Sequence, residues 1–114
     1  MQLKKMYKDI NPELLYDEVR DFIKKHGATL EEAKMQTYSL PGGSSHICRG
    51  SLIFKAPGQQ GKAEKECITV HIVGSPVGET KMMLDIDEEV FPPAKVSALE
   101  EDLDFIFGSY EIRQ

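Results

Sequence analysis

The sequence has no tryptophan, two cysteines and no long apolar run. Two cysteines are too few for the disulfide framework that stabilises many small secreted domains. No apolar stretch approaches the roughly 20 residues that a helix needs to cross a bilayer. The N-terminal segment 1–9 has no apolar stretch behind its lysines, so it does not resemble a secretory signal. We therefore expect a cytoplasmic protein that does not bind a membrane.

The short motifs of common catalytic and metal sites are also missing. The chain has no H-E-x-x-H, no C-x-x-C and no G-x-S-x-G. The segment 42–45, Gly-Gly-Ser-Ser, resembles a phosphate-binding loop in composition, but it leads into a predicted strand and not into a helix N-terminus. The sequence therefore predicts neither a metal site nor a cofactor.

What the chain does contain is typical of one small globular domain. It has 114 residues, of which 40% are hydrophobic and 29% charged, and its formal net charge is −5. That length fits a single domain over residues 1–114. The acidic balance argues against a nucleic-acid partner, because nucleic-acid-binding domains normally present a basic surface.

Two helices are predicted from their start signals and apolar stripes. Asn11 is a suitable N-cap, Pro12 suits the first helical position, and Gly27 suits the position after the helix. A Pro-Pro pair at 92–93 opens the second helix. The predicted ranges are 12–26 and 93–107, with apolar stripes formed by Leu15, Val19, Phe22, Ile23 and His26 and by Val96, Leu99, Leu103, Ile106 and Phe107.

Between the helices the apolar residues alternate with a period of two, which is typical of strands. The predicted strands are 31–40, 46–55, 66–73 and 80–87, separated by Gly- and Pro-containing turns. We interpret residues 1–9, with Lys4, Lys5 and Lys8, as a solvated terminus. The tail 109–114 could form a short edge strand or stay loose. The predicted fold is an α+β two-layer sandwich in which both helices cover one face of a four-stranded antiparallel meander.

The turns also predict a register, and with it the side chains on the uncovered face. Inward pairs are Ile72 with Met82, Val70 with Leu84 and Leu52 with Val70. Alternation places Ala33, Met35, Thr37 and Cys48 on the inward face and Cys67 on the outward face. The predicted open face consists of Lys34, Gln36, Tyr38, Arg49, Ser51, Ile53, Thr69, His71, Val73, Met83, Asp85 and Asp87.

Two groups of residues on this face invite a catalytic interpretation, and geometry argues against both. Ser51, His71 and Asp85 are the residue types of a hydrolase triad, but a half-open sheet offers no oxyanion hole. Cys67 and His71 lie four residues apart on one strand, which is about 13 Å. That is too far for direct pairing or for sharing a metal ion.

The second helix carries two further features. Phe105 lies about 120° from Leu99 around the helix, off the main apolar stripe, and two positions stay open for it. It either packs beneath the N-terminal segment or is exposed as a contact anchor. The acidic residues Glu100, Glu101, Asp102 and Asp104 serve solubility or form a docking surface for a basic partner.

From these observations we expect a non-catalytic protein-interaction or self-association module that uses the open sheet face. The partner is a second copy, stacked sheet to sheet, or another protein. The alternative is a small-molecule binder with an apolar pocket between the sheet and the C-terminal helix, lined by Met35, Leu52, Val70, Leu84, Leu99 and Leu103. An enzyme using His71 with Asp85 is the third hypothesis. The predicted binding residues are Tyr38, Arg49, Ser51, Ile53, Thr69, His71, Met83 and Asp85, with Phe105 as a contact anchor.

Overall fold

The computed structural model describes residues 1–39, 41–42, 46–57 and 63–112. It has an α+β fold with one antiparallel sheet and two α-helices. The parts of the predicted turns at 43–45 and 58–62 lie outside the described residues. The elements are β1 (Gln2–Lys8), α1 (Pro12–Lys25), β2 (Thr29–Ser39), β3 (His46–Ala56), β4 (Lys65–Gly74), β5 (Glu79–Ile86) and α2 (Pro93–Phe107), followed by a short 3₁₀ turn, Gly108–Tyr110.

The sheet has five strands in the order β1-β5-β4-β3-β2, all antiparallel. The four-stranded meander predicted from the sequence is present as β2 to β5. The prediction of four strands is wrong because the segment interpreted as a solvated terminus is β1, which pairs with β5. Tyr7 of β1 is 1% exposed, so this segment contributes to the core.

Helix α1 begins and ends as its signals indicate. The Asn11 side chain accepts a hydrogen bond from the Glu13 backbone N–H at 2.9 Å, which satisfies one of the free donors of the first turn. Gly27 has a φ of +97°, a left-handed conformation that glycine adopts without steric cost. The helix ends at Lys25, one residue before the predicted end, with His26 as its C-cap.

Helix α2 spans the predicted range, but its buried stripe is narrower than predicted. Val96, Leu99, Leu103 and Phe107 are buried, whereas Ile106 is 44% exposed. The tail then returns along β1: Tyr7 and Glu111 form an isolated bridge, and the Ile112 N–H donates to the Met6 carbonyl at 2.7 Å.

The predicted register is confirmed at every inward pair. Ile72 lies opposite Met82, Val70 opposite Leu84, and Leu52 opposite Val70. These side chains are at most 1% exposed, and one continuous core joins them to buried residues of both helices.

Cys67 departs from the alternation, and the prediction that it points outward is wrong. Phe54 pairs with Ile68 and Lys55 with Glu66, so β4 has one extra residue at this point. Such a bulge changes which face the preceding side chains occupy. Cys67 is 2% exposed and belongs to the core, while Glu66 is exposed. Cys48, predicted to point inward, is 1% exposed.

Strand β2 lies at the edge of the sheet and is mostly exposed. Ala33 and Thr37, assigned to the inward face from the sequence, are exposed, and Met35 is half-buried. The strand has 11 residues and therefore spans about 36 Å, whereas the 14 residues of α1 span about 21 Å. The long β2–β3 pair thus exceeds the helix in length, which agrees with overall extents of 54 × 27 × 20 Å.

Candidate binding face

The register places fifteen side chains in a regular array on the side of the sheet opposite the core. Each strand contributes three residues, and the residues of neighbouring strands lie opposite one another in three rows that cross the sheet. We call this array the outer face. Its first row is Met6, Lys81, Val73, Arg49 and Gln36; its second is Lys4, Met83, His71, Ser51 and Lys34; its third is Gln2, Asp85, Thr69, Ile53 and Glu32.

Seven of the eight binding residues predicted from the sequence lie in this array. His71 lies between Ser51 and Met83, and Thr69 lies between Ile53 and Asp85, as predicted. Tyr38 lies beyond the first row, opposite Ile47, and is 48% exposed. Its hydroxyl donates to the Gln36 side-chain oxygen. The seven others are exposed (Arg49, His71, Asp85) or half-buried (Ser51, Ile53, Thr69, Met83).

Two neighbouring grooves occupy most of the outer face. The first has a volume of about 620 Å³ and is lined by β1, β4, β5 and the tail residues Glu111 and Ile112. The second has a volume of about 420 Å³ and is lined by β2, β3 and β4. His71 and Val73 of β4 line both grooves, so the two grooves meet at β4.

The charges on this face are unevenly distributed. The first two rows carry four basic side chains, and the acidic residues Asp85 and Glu32 lie in the third. Lys34 pairs with Glu32 at 3.0 Å. Within the described parts of the chain, Lys4, Lys81 and Arg49 form no ion pair. A protein with a net charge of −5 thus has a local surplus of positive charge around its two grooves.

The hydrolase-like residues do not assemble into a triad. Ser51 and His71 are neighbours across the β3–β4 pair, but Asp85 lies one row away, opposite Thr69. In residues 1–39, 41–42, 46–57 and 63–112, these three side chains make no hydrogen bond or ion pair with one another. The Ser51 carbonyl, on the backbone, accepts a hydrogen bond from the Tyr16 hydroxyl at 3.1 Å. The Ser51 hydroxyl therefore has no base within hydrogen-bond reach among the described residues to activate it, and the three side chains are separate polar groups on the surface.

The cysteines and carboxylates of the described residues do not form a metal centre. No group of three or more His, Cys, Asp or Glu side chains among them is arranged to hold a metal ion. Cys48 and Cys67 are both free and buried. Burial raises the pKa of the Cys67 thiol to about 11, which keeps it protonated at neutral pH.

The acidic second helix divides into paired and solvent-exposed residues. Asp102 accepts a hydrogen bond from His26 Nε2 at 2.9 Å and lies 3.5 Å from Lys25 Nζ, so it connects α2 to the end of α1. The Asp104 carboxylate lies 3.7 Å from Lys5 Nζ. Phe105, for which the sequence left two positions open, is 88% exposed.

Five residues of the outer face were missed by sequence reasoning: Gln2, Lys4, Met6, Glu32 and Lys81. Gln2, Lys4 and Met6 were missed because β1 was not recognised, whereas Glu32 lay within a predicted strand and follows from its alternation with Ala33. An available signal for β1 was its apolar content, with Leu3 and Tyr7 separated by four positions, as on one face of a strand. Lys81 lay within a predicted strand and follows from its alternation with Met82.

No helix in the described part of the chain is both long and apolar enough to cross a membrane. Comparison with known proteins finds no family model, no curated protein and no solved structure that matches this chain significantly.

Proposed function

We propose that the protein is a non-catalytic interaction module that docks another protein on its outer face. The observation that carries this proposal is the combination of two connected grooves with Lys4, Lys81 and Arg49, whose charges have no ion-pair partner among the described residues. Half-buried apolar side chains lie beside these charges: Met6, Val73 and Met83 in the first two rows, with Ile53 in the third. A mixture of apolar centre and polar surroundings is typical of protein interfaces.

The charges favour a different protein over a second copy stacked sheet to sheet. Stacking with equivalent rows in contact would bring the four basic side chains of one copy close to the four of the other. In the reverse arrangement the first row would meet Asp85 and Glu32, but Lys4 and Lys34 of the second row would still meet their own copies. Like charges across an interface cost free energy, and the cost rises as water is excluded. Self-association through this face is therefore the weaker form of the hypothesis.

The small-molecule alternative receives less support. Of the six side chains expected to line its pocket, Leu52, Val70, Leu84, Leu99 and Leu103 have no exposed surface, as expected of side chains in a close-packed core. The two larger grooves lie on the outer face and not between the sheet and α2.

Site-specific photocrosslinking tests the proposal. A benzophenone amino acid replaces His71, at the junction of the grooves, and in a matched variant replaces Glu88, an exposed residue in the turn after β5. We expect a discrete protein adduct from position 71 in cells of the natural host and none from position 88. The crosslinked protein is then purified and titrated against the unlabelled chain.

The titration includes a variant that disturbs the face. Met83→Glu places an acidic group on the junction, and we expect it to weaken binding by about tenfold. Glu88→Lys is the control and should bind like the native chain. Equal adducts from both positions, or unchanged binding by Met83→Glu, would contradict the proposal. Circular dichroism of each variant checks that the fold is retained.

A further inference from the structure

The outer face also indicates what kind of segment it binds. We infer that its occupant is an acidic amphipathic α-helix of the partner protein, lying across the five strands. This inference rests on the proposed function and specifies the chemistry of its partner. Three features carry it: the composition of the groove lining, the positions of the basic residues and the direction of the rows.

Methionine makes up most of the apolar lining of the first groove, where Met6, Met82 and Met83 occur with Val73 and Ile112. Met6 and Met83 lie on adjacent strands with Lys4 opposite Met83, and Val73 continues the apolar surface toward the second groove. Methionine is unbranched and polarizable, and it is common on surfaces that accept the apolar face of a helix. The occupant must therefore present apolar side chains along one side.

Basic residues flank the apolar side chains along both rows. Lys81 and Arg49 lie on either side of Val73 in the first row, and Lys4 and Lys34 lie at the two ends of the second row. No residue of these two rows is acidic, and the one acidic residue that lines either groove, Glu111, lies 3.4 Å from the Lys5 ammonium. Carboxylates of an occupant that flank its apolar side would complement the charges along both rows.

The direction of the rows distinguishes a helix from an extended peptide. The two basic rows run across the strands from β1 to β2, which is four strand spacings or about 19 Å. An α-helix covers that distance with about 13 residues. Its pitch of about 5.4 Å is close to the strand spacing of about 4.8 Å, so side chains one turn apart meet successive strands. An extended strand would instead pair along a sheet edge.

Defined peptides test the inference without knowledge of the partner. The probe is a fluorescein-labelled 14-residue helix with leucine on one side and glutamate elsewhere. Its matched counterpart has lysine in place of every glutamate, and a third peptide has two central prolines that prevent helix formation. Binding to the full chain is measured by fluorescence anisotropy at low and moderate salt.

We expect the glutamate helix to bind at least about tenfold more tightly than the lysine and proline peptides, and to weaken as salt rises. The variant Arg49→Glu/Lys81→Glu should lose about tenfold in affinity. Lys24→Glu/Lys95→Glu changes the net charge equally at exposed positions on the helices and should bind like the native chain.

Each contrary result has a definite meaning. Equal binding of glutamate and lysine helices, or full binding by Arg49→Glu/Lys81→Glu, would overturn the acidic character of the occupant. Equal binding of the proline peptide would overturn the helical form of the occupant.

Light scattering tests self-association. If the molar mass rises with protein concentration and Phe105→Ala abolishes that rise, the occupant is α2 of a second copy and the inference is wrong. If position 71 crosslinks a partner but no peptide binds, the inference fails while the proposed function stands.

Discussion

At the scale of single residues, the contact between His26 and Asp102 joins the end of one helix to the middle of the other. The hydrogen bond from His26 lowers the pKa of the Asp102 carboxyl, and the neighbouring Lys25 ammonium adds to the effect. Both side chains of the hydrogen-bonded pair are largely shielded, with 17% and 25% exposure. Such a contact depends on the charge of the carboxylate and therefore on pH.

Replacing Asp102 by alanine should lower the free energy of unfolding by about 1 kcal/mol at pH 7. The folded-state pKa of Asp102 lies below the unfolded-state value of about 3.9, so its contribution is present above that value. It is lost as the pH falls through the lower folded-state pKa. Urea unfolding at pH 7 and below pH 3 should therefore show the difference from the native chain shrinking with acid.

Glu101→Ala is the matched control, because Glu101 is the preceding residue of α2 and is exposed. It should change stability by less than about 0.5 kcal/mol at either pH. If Asp102→Ala lowers the free energy of unfolding by the same amount at neutral and acid pH, the stabilising effect of the contact does not depend on the carboxylate charge.

Single residues also show why the face assignments from the sequence succeeded in most places. Alternation assigned Arg49, His71 and Met83 to one face because the turns on either side of β4 fix the pairing. It failed at Cys67 because β4 has one extra residue at the bulge, without a partner on β3, and this turns Cys67 toward the core. A bulge leaves no mark in hydrophobic periodicity when the inserted residue is itself apolar.

At the scale of elements, β1 decides whether the sheet has four strands or five. Its inward positions are Leu3, Lys5 and Tyr7, and the lysine among them hides the alternation. Lys5 is accommodated because its ammonium lies 3.7 Å from Asp104 and 3.4 Å from Glu111. These partners are about 100 residues away along the chain. Leu3 and Tyr7 are the local signal for this strand, and the lysine between them interrupts it, whereas the helices follow from uninterrupted signals within their own segments.

The role of β1 in the core predicts a large effect of truncating Tyr7. Its ring packs edge-to-face against Phe107 of α2, with 6.2 Å between the ring centroids. Tyr7→Ala should lower the free energy of unfolding by about 3 kcal/mol or more, because a large buried side chain is removed. The measurement is urea unfolding followed by circular dichroism.

Tyr110→Ala provides the comparison, since Tyr110 follows α2 and is 45% exposed. It should cost less than about 1 kcal/mol. If both variants lower the free energy of unfolding equally, β1 does not contribute to the core as described.

At the scale of the whole molecule, stability should differ between the centre of the sheet and its β2 edge. Strand β4 pairs on both sides, and its Val70 and Ile72 have no exposed surface. Residues 35–39 of β2 lie at the sheet edge and are mostly exposed. Segments with few buried contacts open at low free-energy cost.

Hydrogen exchange followed by NMR should therefore show the slowest amides in β4 and amides of residues 35–39 exchanging at least about tenfold faster. Strand β3 serves as the internal reference, because it pairs with β2 on one side and with β4 on the other. Comparable protection along β2 and β4 would show that the edge is stabilised by contacts other than those described.

The candidate site as a whole could be predicted only in part. The meander residues of the outer face follow from alternation and turn positions. Its charge balance does not, because Lys4 is supplied by β1 and was assigned to a solvated terminus. The first groove depends on the tail, and both grooves depend on side-chain packing between strands, which no single segment encodes.

The separation of charge has a consequence for how the molecule meets other molecules. Four of the fourteen basic side chains lie in two neighbouring rows of one flat side, while the molecule as a whole is acidic. The local field of these rows attracts an anionic neighbour that approaches this side, whereas the net charge of −5 opposes its approach from elsewhere. Orientation, and not total charge, decides which encounters become productive.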